Sequence, residues 1–482
     1  MGAAQNSSPK PSNVTAIKSH PSATQTTRNK AFEINKDKVF YGAFAEIGAG
    51  QEVARHFFQA GLASQTVAKS MSAYDKAFSD AIYGKGSRFV SQGRLEKMLQ
   101  HEYELMAERL PDRQNDTCFF AYANTVTTSS HEEIPTCHGW MGIRFQKKPQ
   151  GPFNDIMVHV RMLDRLRLQQ QEALGILGVN FIYAAFKFSD SGGAQFISSL
   201  IDNLSVDRLE IDYICFRGPD LTHIDNRLMS LELVKQNISK MVMFGPKGDT
   251  VSLMDEFYKR PVLLQRGTFR PFTKTNEAIL KNGISQMEKE TKINAEELMT
   301  VAELNMNSLN NNGQVDDKDF LDRVDTLTAI GLHVLVSNFS LYSQLQRELR
   351  KFTDNHIGMV IGALALQGLF DSKFYSHYRG GILAAFGDML GPKTKVYVYP
   401  YKNDTDTICA SNFQAPKDLE HLYKHLYDNH MVIDMENCEK VDTSMRSDDV
   451  RKLLAAKDPK WEKMVPIEVR ELIKARKLFG YN

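Results

Sequence analysis

Apolar positions along this chain switch between a strand-like and a helix-like period, and the switching predicts alternating strands and helices. From Lys38 to Ile47, Val39, Tyr41, Phe44 and Ile47 sit among small residues and read as a strand. Gly48-Ala49-Gly50 breaks it, and Gln51 to Phe58 reads as a helix start. Between Ser91 and Leu110, the residues Leu95, Met98, Leu99, Tyr103 and Met106 fall on one helix face. Cys118–Thr127 and Trp140–Phe145 are β-rich, and 146–154 reads as a loop. Next come a strand, Ile156–Leu163, and a long helix, Arg165–Phe186. A break at Ser191-Gly192-Gly193, a short helix, Ala194–Leu204, and a strand, Arg208–Phe216, follow. The order recurs in Leu332–Ser337 (strand), Tyr342–Phe370 (helical), Gly380-Gly381 (break), Ile382–Leu390 (helix) and Lys395–Tyr401 (strand).

This pattern predicts an α/β protein with mostly parallel sheets and flanking helices, with two similar modules near 156–216 and 332–401 that arise by duplication or by convergence on a common α/β pattern. Residues 276–329 read as helical and polar, interrupted by an Asn-rich run from Asn305 to Gly313. The expected organisation is a disordered tail over 1–30, an N-terminal α/β domain over 31–300, and a C-terminal α/β domain over 301–482 with a helical end.

Composition narrows the function. Of 482 residues, 42% are apolar and 24% charged, enough for a sizeable core. Lys plus Arg number 59 against 58 acids, so no basic excess marks a nucleic-acid partner. No run approaches the ~20 apolar residues of a membrane span. Five scattered cysteines without CxxC spacing point to neither a disulfide framework nor a thiolate zinc site. Ser308–Asp319 resembles a calcium loop in outline but lacks the leading Asp and closing Glu, so no metal is assigned. Residues 1–30 lack the apolar core of a secretion signal, which places the chain in the cytosol.

Three constellations could carry chemistry. Gly48 and Gly50 lie where a strand enters a helix, a setting that presents N–H groups to an anion. Val53 replaces the third glycine of a dinucleotide fingerprint, so a plain turn is the competing reading. His159 and Arg161 share one strand face, as do Arg208, Glu210 and Asp212. Buried charges of that kind need a ligand or one another, Arg161 with Glu210 for instance. Arg266, Gly267 and Arg270, after the apolar run Val262–Leu264, form an oxyanion clamp in which glycine lets the backbone approach. His138, at a strand start, reads as a lone structural histidine.

Several runs together resemble a known family. They are Tyr41 to Arg55, His138 to Gln146, Arg266 to Pro271, Gly380 to Gly387 and the closing Lys477 to Tyr481. The likeness extends over nearly the whole chain after residue 38. It is to a bacterial family of unassigned activity whose members carry labels such as TonB-dependent receptor or nicotinate (nicotinamide) mononucleotide adenylyltransferase. The first label would imply a signal peptide and a many-stranded barrel, and the second an HxGH motif; the sequence shows none of these. The family tends to carry an acid where this chain has Ala384 and a base where it has Asp388.

The reading is a cytosolic α/β enzyme that binds a phosphorylated or carboxylated small molecule, a nucleotide among the choices. Arg266 and Arg270 would hold the anion, and His159 and Arg161 would line the pocket. Glu210 or Asp212 would act as base or metal ligand. The competing class is a non-catalytic structural or assembly protein whose charged strands pair internally. No cofactor is assignable, and self-association stays open.

Overall fold

The computed structural model describes residues 25–482 except 87, 130–136, 192, 312, 377, 403–406, 439–444 and 482. Two sheets with flanking helices make it an α/β protein. The first sheet uses β1 (Phe40–Ile47), β2 (Val67–Met71), β3 (Cys118–Thr127), β4 (His138–Gln146), β5 (Phe153–Met162) and β6 (Leu209–Arg217). Its order is β2-β1-β3-β4-β5-β6; β1 runs parallel to β2 and β3, and the other pairs are antiparallel. The helices Glu52–Ala60 and Arg167–Phe188 bury Val53, Phe57, Leu177 and Ile182 with Phe44 and Val158 of the sheet. The helix Gln92–Arg109 buries Leu95, Met98 and Leu99 against Trp140 and Met157.

The second sheet comprises eight strands: β7 (Met241–Phe244), β8 (Thr250–Val251), β9 (Val262–Arg266), β10 (Met299–Asn305), β13 (His333–Ser337), β14 (Ile357–Gly362), β15 (Thr394–Tyr399) and β18 (Val432–Asp434). Two small ribbons, β11 (Asn310–Asn311) with β12 (Gln314–Val315) and β16 (Tyr401–Lys402) with β17 (Thr407–Ile408), lie outside it. The order is β18-β15-β14-β9-β10-β13-β7-β8, with six parallel strands and β7 and β8 antiparallel at one edge. One apolar cluster contains Phe44 and Val158 of the first sheet and Phe244, Leu263 and Val360 of the second, so the modules share a core.

Two sheet-bearing modules fit the duplication. Inside them the pairing differs: β5 and β6 are antiparallel neighbours, whereas β13 and β15 are separated by β10, β9 and β14. The change of sheet falls between Arg217 and Met241, and residue 300 lies inside β10, in the middle of the second sheet. The tail boundary moves as well. Residues 1–24 lie outside the described part, but Thr27–Lys36 is a helix capped by Thr26, and Lys30 on it is buried. Its ammonium donates to Asn180 Oδ1 (3.0 Å) and the Ser199 carbonyl (3.2 Å) and pairs with Asp202. The missed strands β10 and β14 fall in stretches that read as helical; both are buried along most of their length.

Candidate functional site

The six parallel strands of the second sheet follow the chain in an informative way. From β9 the chain moves outward through β10 and β13. It then returns to the other side of β9 and continues through β14, β15 and β18. Counted from β9, this is the 3-2-1-4-5-6 order of a doubly wound sheet, in which ligands collect beyond the carboxyl ends where the order reverses. Here the reversal lies between β9 and β14. A crevice of about 390 Å³ opens there, within the size range of small-molecule sites.

One wall comes from the segment that follows β9: Thr268, Thr273, Thr275 and Asn276. Thr273 caps the helix Lys274–Thr291. Its hydroxyl accepts from Asn276 N (3.3 Å) while the Asn276 side chain accepts from Thr273 N (3.0 Å). The opposite wall is apolar and aromatic, with Leu364 after β14, Tyr399 at the end of β15, and Pro400 and Tyr401 just beyond it. Leu364 is 44% exposed, high for a leucine beside a core strand. Burial holds the Tyr399 hydroxyl above its ordinary pKa, so it stays a neutral donor. Lys402, Arg446 and Ser447 close the third side. Ser447 is fixed by its bond to the Pro271 carbonyl (2.9 Å), and the neighbouring Asp448 accepts from Arg451 (2.9 Å). Arg446 is exposed and pairs with no acid among the described residues.

The Arg266–Arg270 loop therefore does follow the first strand of the doubly wound order, where such folds meet phosphates. Its arginines, however, turn inward. Arg266 forms a fork with Glu303, its neighbour on β10 (Nη2 to Oε1 3.2 Å), and donates to the Phe339 and Ser340 carbonyls. It also stacks on Tyr342 at 4.5 Å. Burial raises the Glu303 carboxyl above the usual range, and Arg266 opposes that rise. Arg270 pairs with Asp319, which also accepts from Arg323 (2.9 Å). Gly267 packs against the Phe269 ring, where a Cβ would come within 2.7 Å. None of Arg266, Gly267 and Arg270 lines the crevice; the loop reaches it through Thr268 and Thr273.

The Gly48 turn also has an internal partner. Glu46, at the end of β1, accepts from Val53 N (3.2 Å) and Ala54 N (2.9 Å) at the start of the next helix. The N–H groups expected to meet an anion through Gly48 and Gly50 thus meet the chain's own carboxylate. Arg161 is buried between Glu210 (2.9 Å) and Glu348 (3.1 Å), with Phe352 under its guanidinium at 4.8 Å. The ion pair foreseen as the competing reading is present, and Glu348 extends it to the second module. Glu210 also accepts from Lys240 N (2.8 Å).

His159 and Asp212 belong to a separate row. In the β5–β6 register, His159 faces Tyr213 and Val160 faces Ile211, so Asp212 is the extra residue of a bulge. The bulge delivers Asp212 to His159 Nδ1 at 2.6 Å, and His159 Nε2 meets His138 Nδ1 at 2.9 Å. His138 is the residue that the sequence reading left as structural. The signal was its place two positions before Trp140, which faces His159 across the sheet.

No family model matches the chain, and no curated protein matches it. Among the described residues, no helix is long and apolar enough to cross a membrane. Solved structures similar in part include competence/damage inducible protein CihA from Agrobacterium tumefaciens, 18% identical, at a TM-score of 0.24 over 33% of this chain and 94% of that one. A competence or damage-inducible protein from Enterobacter asburiae is 12% identical, with a TM-score of 0.24 over 33% and 96%. Plasmodium falciparum nicotinic acid mononucleotide adenylyltransferase is 11% identical, with a TM-score of 0.24 over 46% of this chain and 99% of that one. Likenesses at this level fall below what identifies a fold or an activity, and the crevice stands on its own geometry.

Proposed function

We propose that this chain binds a phosphate-bearing small molecule, of the nucleotide class, in the crevice between β9 and β14. One observation carries the reading: the crevice coincides with the reversal of strand order in a doubly wound sheet. Its walls suit such a ligand, with an aromatic side for a planar ring and a hydroxyl- and cation-bearing side for phosphate. The anion would be met by Arg446, Lys402 and the threonines, in place of Arg266 and Arg270.

A second reading, a non-catalytic assembly protein, draws support from the internal pairing of Arg161, Arg266 and Arg270. Melting curves with adenine and guanine nucleotides and phosphorylated sugars separate the two. Ligand at 100 times its dissociation constant should stabilise the protein by about 2.7 kcal/mol. Arg446→Ala should remove that shift and leave the free protein's melting temperature unchanged. Arg266→Ala should instead destabilise the free protein by roughly 3–5 kcal/mol, because Glu303 is left buried and unpaired. A ligand shift that survives Arg446→Ala would move the binding site away from this crevice, and no shift with any of these compounds would favour the assembly reading.

A further inference from the structure

A second cavity, of about 370 Å³, shares no lining residue with the crevice between β9 and β14. It is bounded by the end of the helix Arg167–Phe188, by the helices Gly193–Leu200 and Asn226–Lys235, and by Asp317 of the second module. Its walls are apolar. Phe196 and Phe216 meet edge to face at 4.9 Å, and a Cβ at Gly193 would lie 2.9 Å from the Met229 sulfur. Phe188, Ile224 and Leu228 pack on the shared core, stay partly exposed, and line the cavity. One hydroxyl stands among them. Ser189 is 6% exposed and lines the cavity. Its Oγ is not sealed off, yet it forms no hydrogen bond among the described residues. Polar groups this buried are nearly always paired, so the Ser189 hydroxyl calls for a partner. The charged rim is already satisfied. Asp190 pairs with Lys147, Asp225 with Arg227 (2.7 Å), and Lys235 with both Asp317 (2.8 Å) and Glu232 (3.7 Å). His223, also on the rim, is exposed to solvent.

We propose that this cavity binds a small uncharged molecule with an aromatic body and one hydrogen-bonding group, which meets the Ser189 hydroxyl. The volume lies within the range of small-molecule sites. A flat ring suits the edges and faces of Phe196 and Phe216 and the polarisable Met229 sulfur. The lack of charge follows from the rim. A charged ligand would leave water for apolar walls whose neighbouring acids and cations already neutralise one another. The Lys235–Asp317 pair joins a helix that follows the first sheet to a helix of the second. An occupant therefore touches both modules at their junction.

The test uses the full chain labelled at its methionine methyl groups, with the Met229 resonance identified by Met229→Leu. The probes share one shape and differ in one group: p-cresol, toluene, 4-methylbenzoate and 4-methylbenzylamine. p-Cresol should bind saturably and shift the Met229 methyl, toluene should do so more weakly, and the two ions should not bind. Ser189→Ala should weaken p-cresol by roughly three- to tenfold, the worth of one hydrogen bond, and leave toluene unchanged. Leu228→Trp fills the cavity from a partly exposed wall and should abolish both shifts, with a melting curve to confirm the fold. Ser189→Ala is the smaller change and decides the hydroxyl contact even where Leu228→Trp does not fold. No Met229 shift with either neutral probe, or a shift that survives in folded Leu228→Trp, overturns the site. Tighter binding of either ion overturns the uncharged class. Equal p-cresol affinity in Ser189→Ala overturns the part given to its hydroxyl.

Discussion

Glu46 concentrates the argument at the scale of single residues. Its carboxyl is pushed up to about 7, chiefly by burial and in lesser part by Glu52, against the pull of two backbone N–H groups and Asn124. A carboxyl whose folded value exceeds its unfolded one stabilises the fold at low pH, and that stability is lost as pH rises through 7. The loss is about 3 kcal/mol, the free energy of moving a carboxyl from 4.5 to about 7. Melting temperatures measured from pH 5 to pH 8 should therefore fall more steeply for wild type than for Glu46→Gln. Equal slopes would mean that Glu46 stays ionised throughout. Residue types were legible here and partners were not. The sequence shows charges at alternate strand positions and allows Arg161 to meet Glu210. It could not show that Glu303 and Asp319 fold over the arginine loop, because those contacts depend on which strands become neighbours. Asp212 was grouped with Arg208 and Glu210 by strand alternation, and the bulge changes that grouping. It reaches His159 as the extra residue of an irregular strand.

Elements were read best where the period was clean. The helix over 91–110, the strand over 156–163 and the long helix after it stand close to their expected bounds. β10 and β14 were lost because a strand buried on both faces has no alternation, and a short apolar run does not distinguish it from a buried helix turn. The turn after β1 offers a test at this scale. Both of its glycines have positive φ, +98° at Gly48 and +78° at Gly50. A Cβ at Gly48 would lie 1.9 Å from the Val126 carbonyl oxygen, whereas at Gly50 the nearest atom is 3.9 Å away. Gly50→Ala should cost about 1 kcal/mol of backbone strain. Gly48→Ala adds a clash with fixed backbone, and its cost should exceed about 3 kcal/mol. Urea unfolding of both variants measures the gap. Equal costs would mean that the turn relaxes away from β3.

For the whole molecule, strand order mattered most and was least visible in the sequence. Two α/β modules could be inferred from the repeated run of elements. The reversal between β9 and β14, which creates the crevice, could not, because order across a sheet leaves no mark on the period of side chains. Residues 26–30, at the end of the expected tail, depart from that expectation for a related reason. Thr27–Lys36 has little apolar periodicity of its own and is held by Lys30, a charged residue that finds Asp202 and Asn180 in the core. Deleting residues 2–30 should thus lower stability by about 2 kcal/mol or more, since Asn180 and Asp202 lose their buried donor. A denaturation midpoint equal to that of the full chain would show that the helix remainder compensates.

The antiparallel edge of the second sheet has a consequence for birth on the ribosome. β7 and β8 are made early, but β7's partner β13 begins only at His333. At roughly 5–20 residues per second, the hairpin waits several seconds with one open edge. The first sheet is already complete by then, ending in β6 at Arg217, and both hairpin strands contact β6 in the finished fold. The helix Asn226–Lys235 touches β6 and β7 and tethers the hairpin beside that finished surface. Translation order thus presents the hairpin to a finished N-terminal surface before the strand that closes its edge has been synthesised.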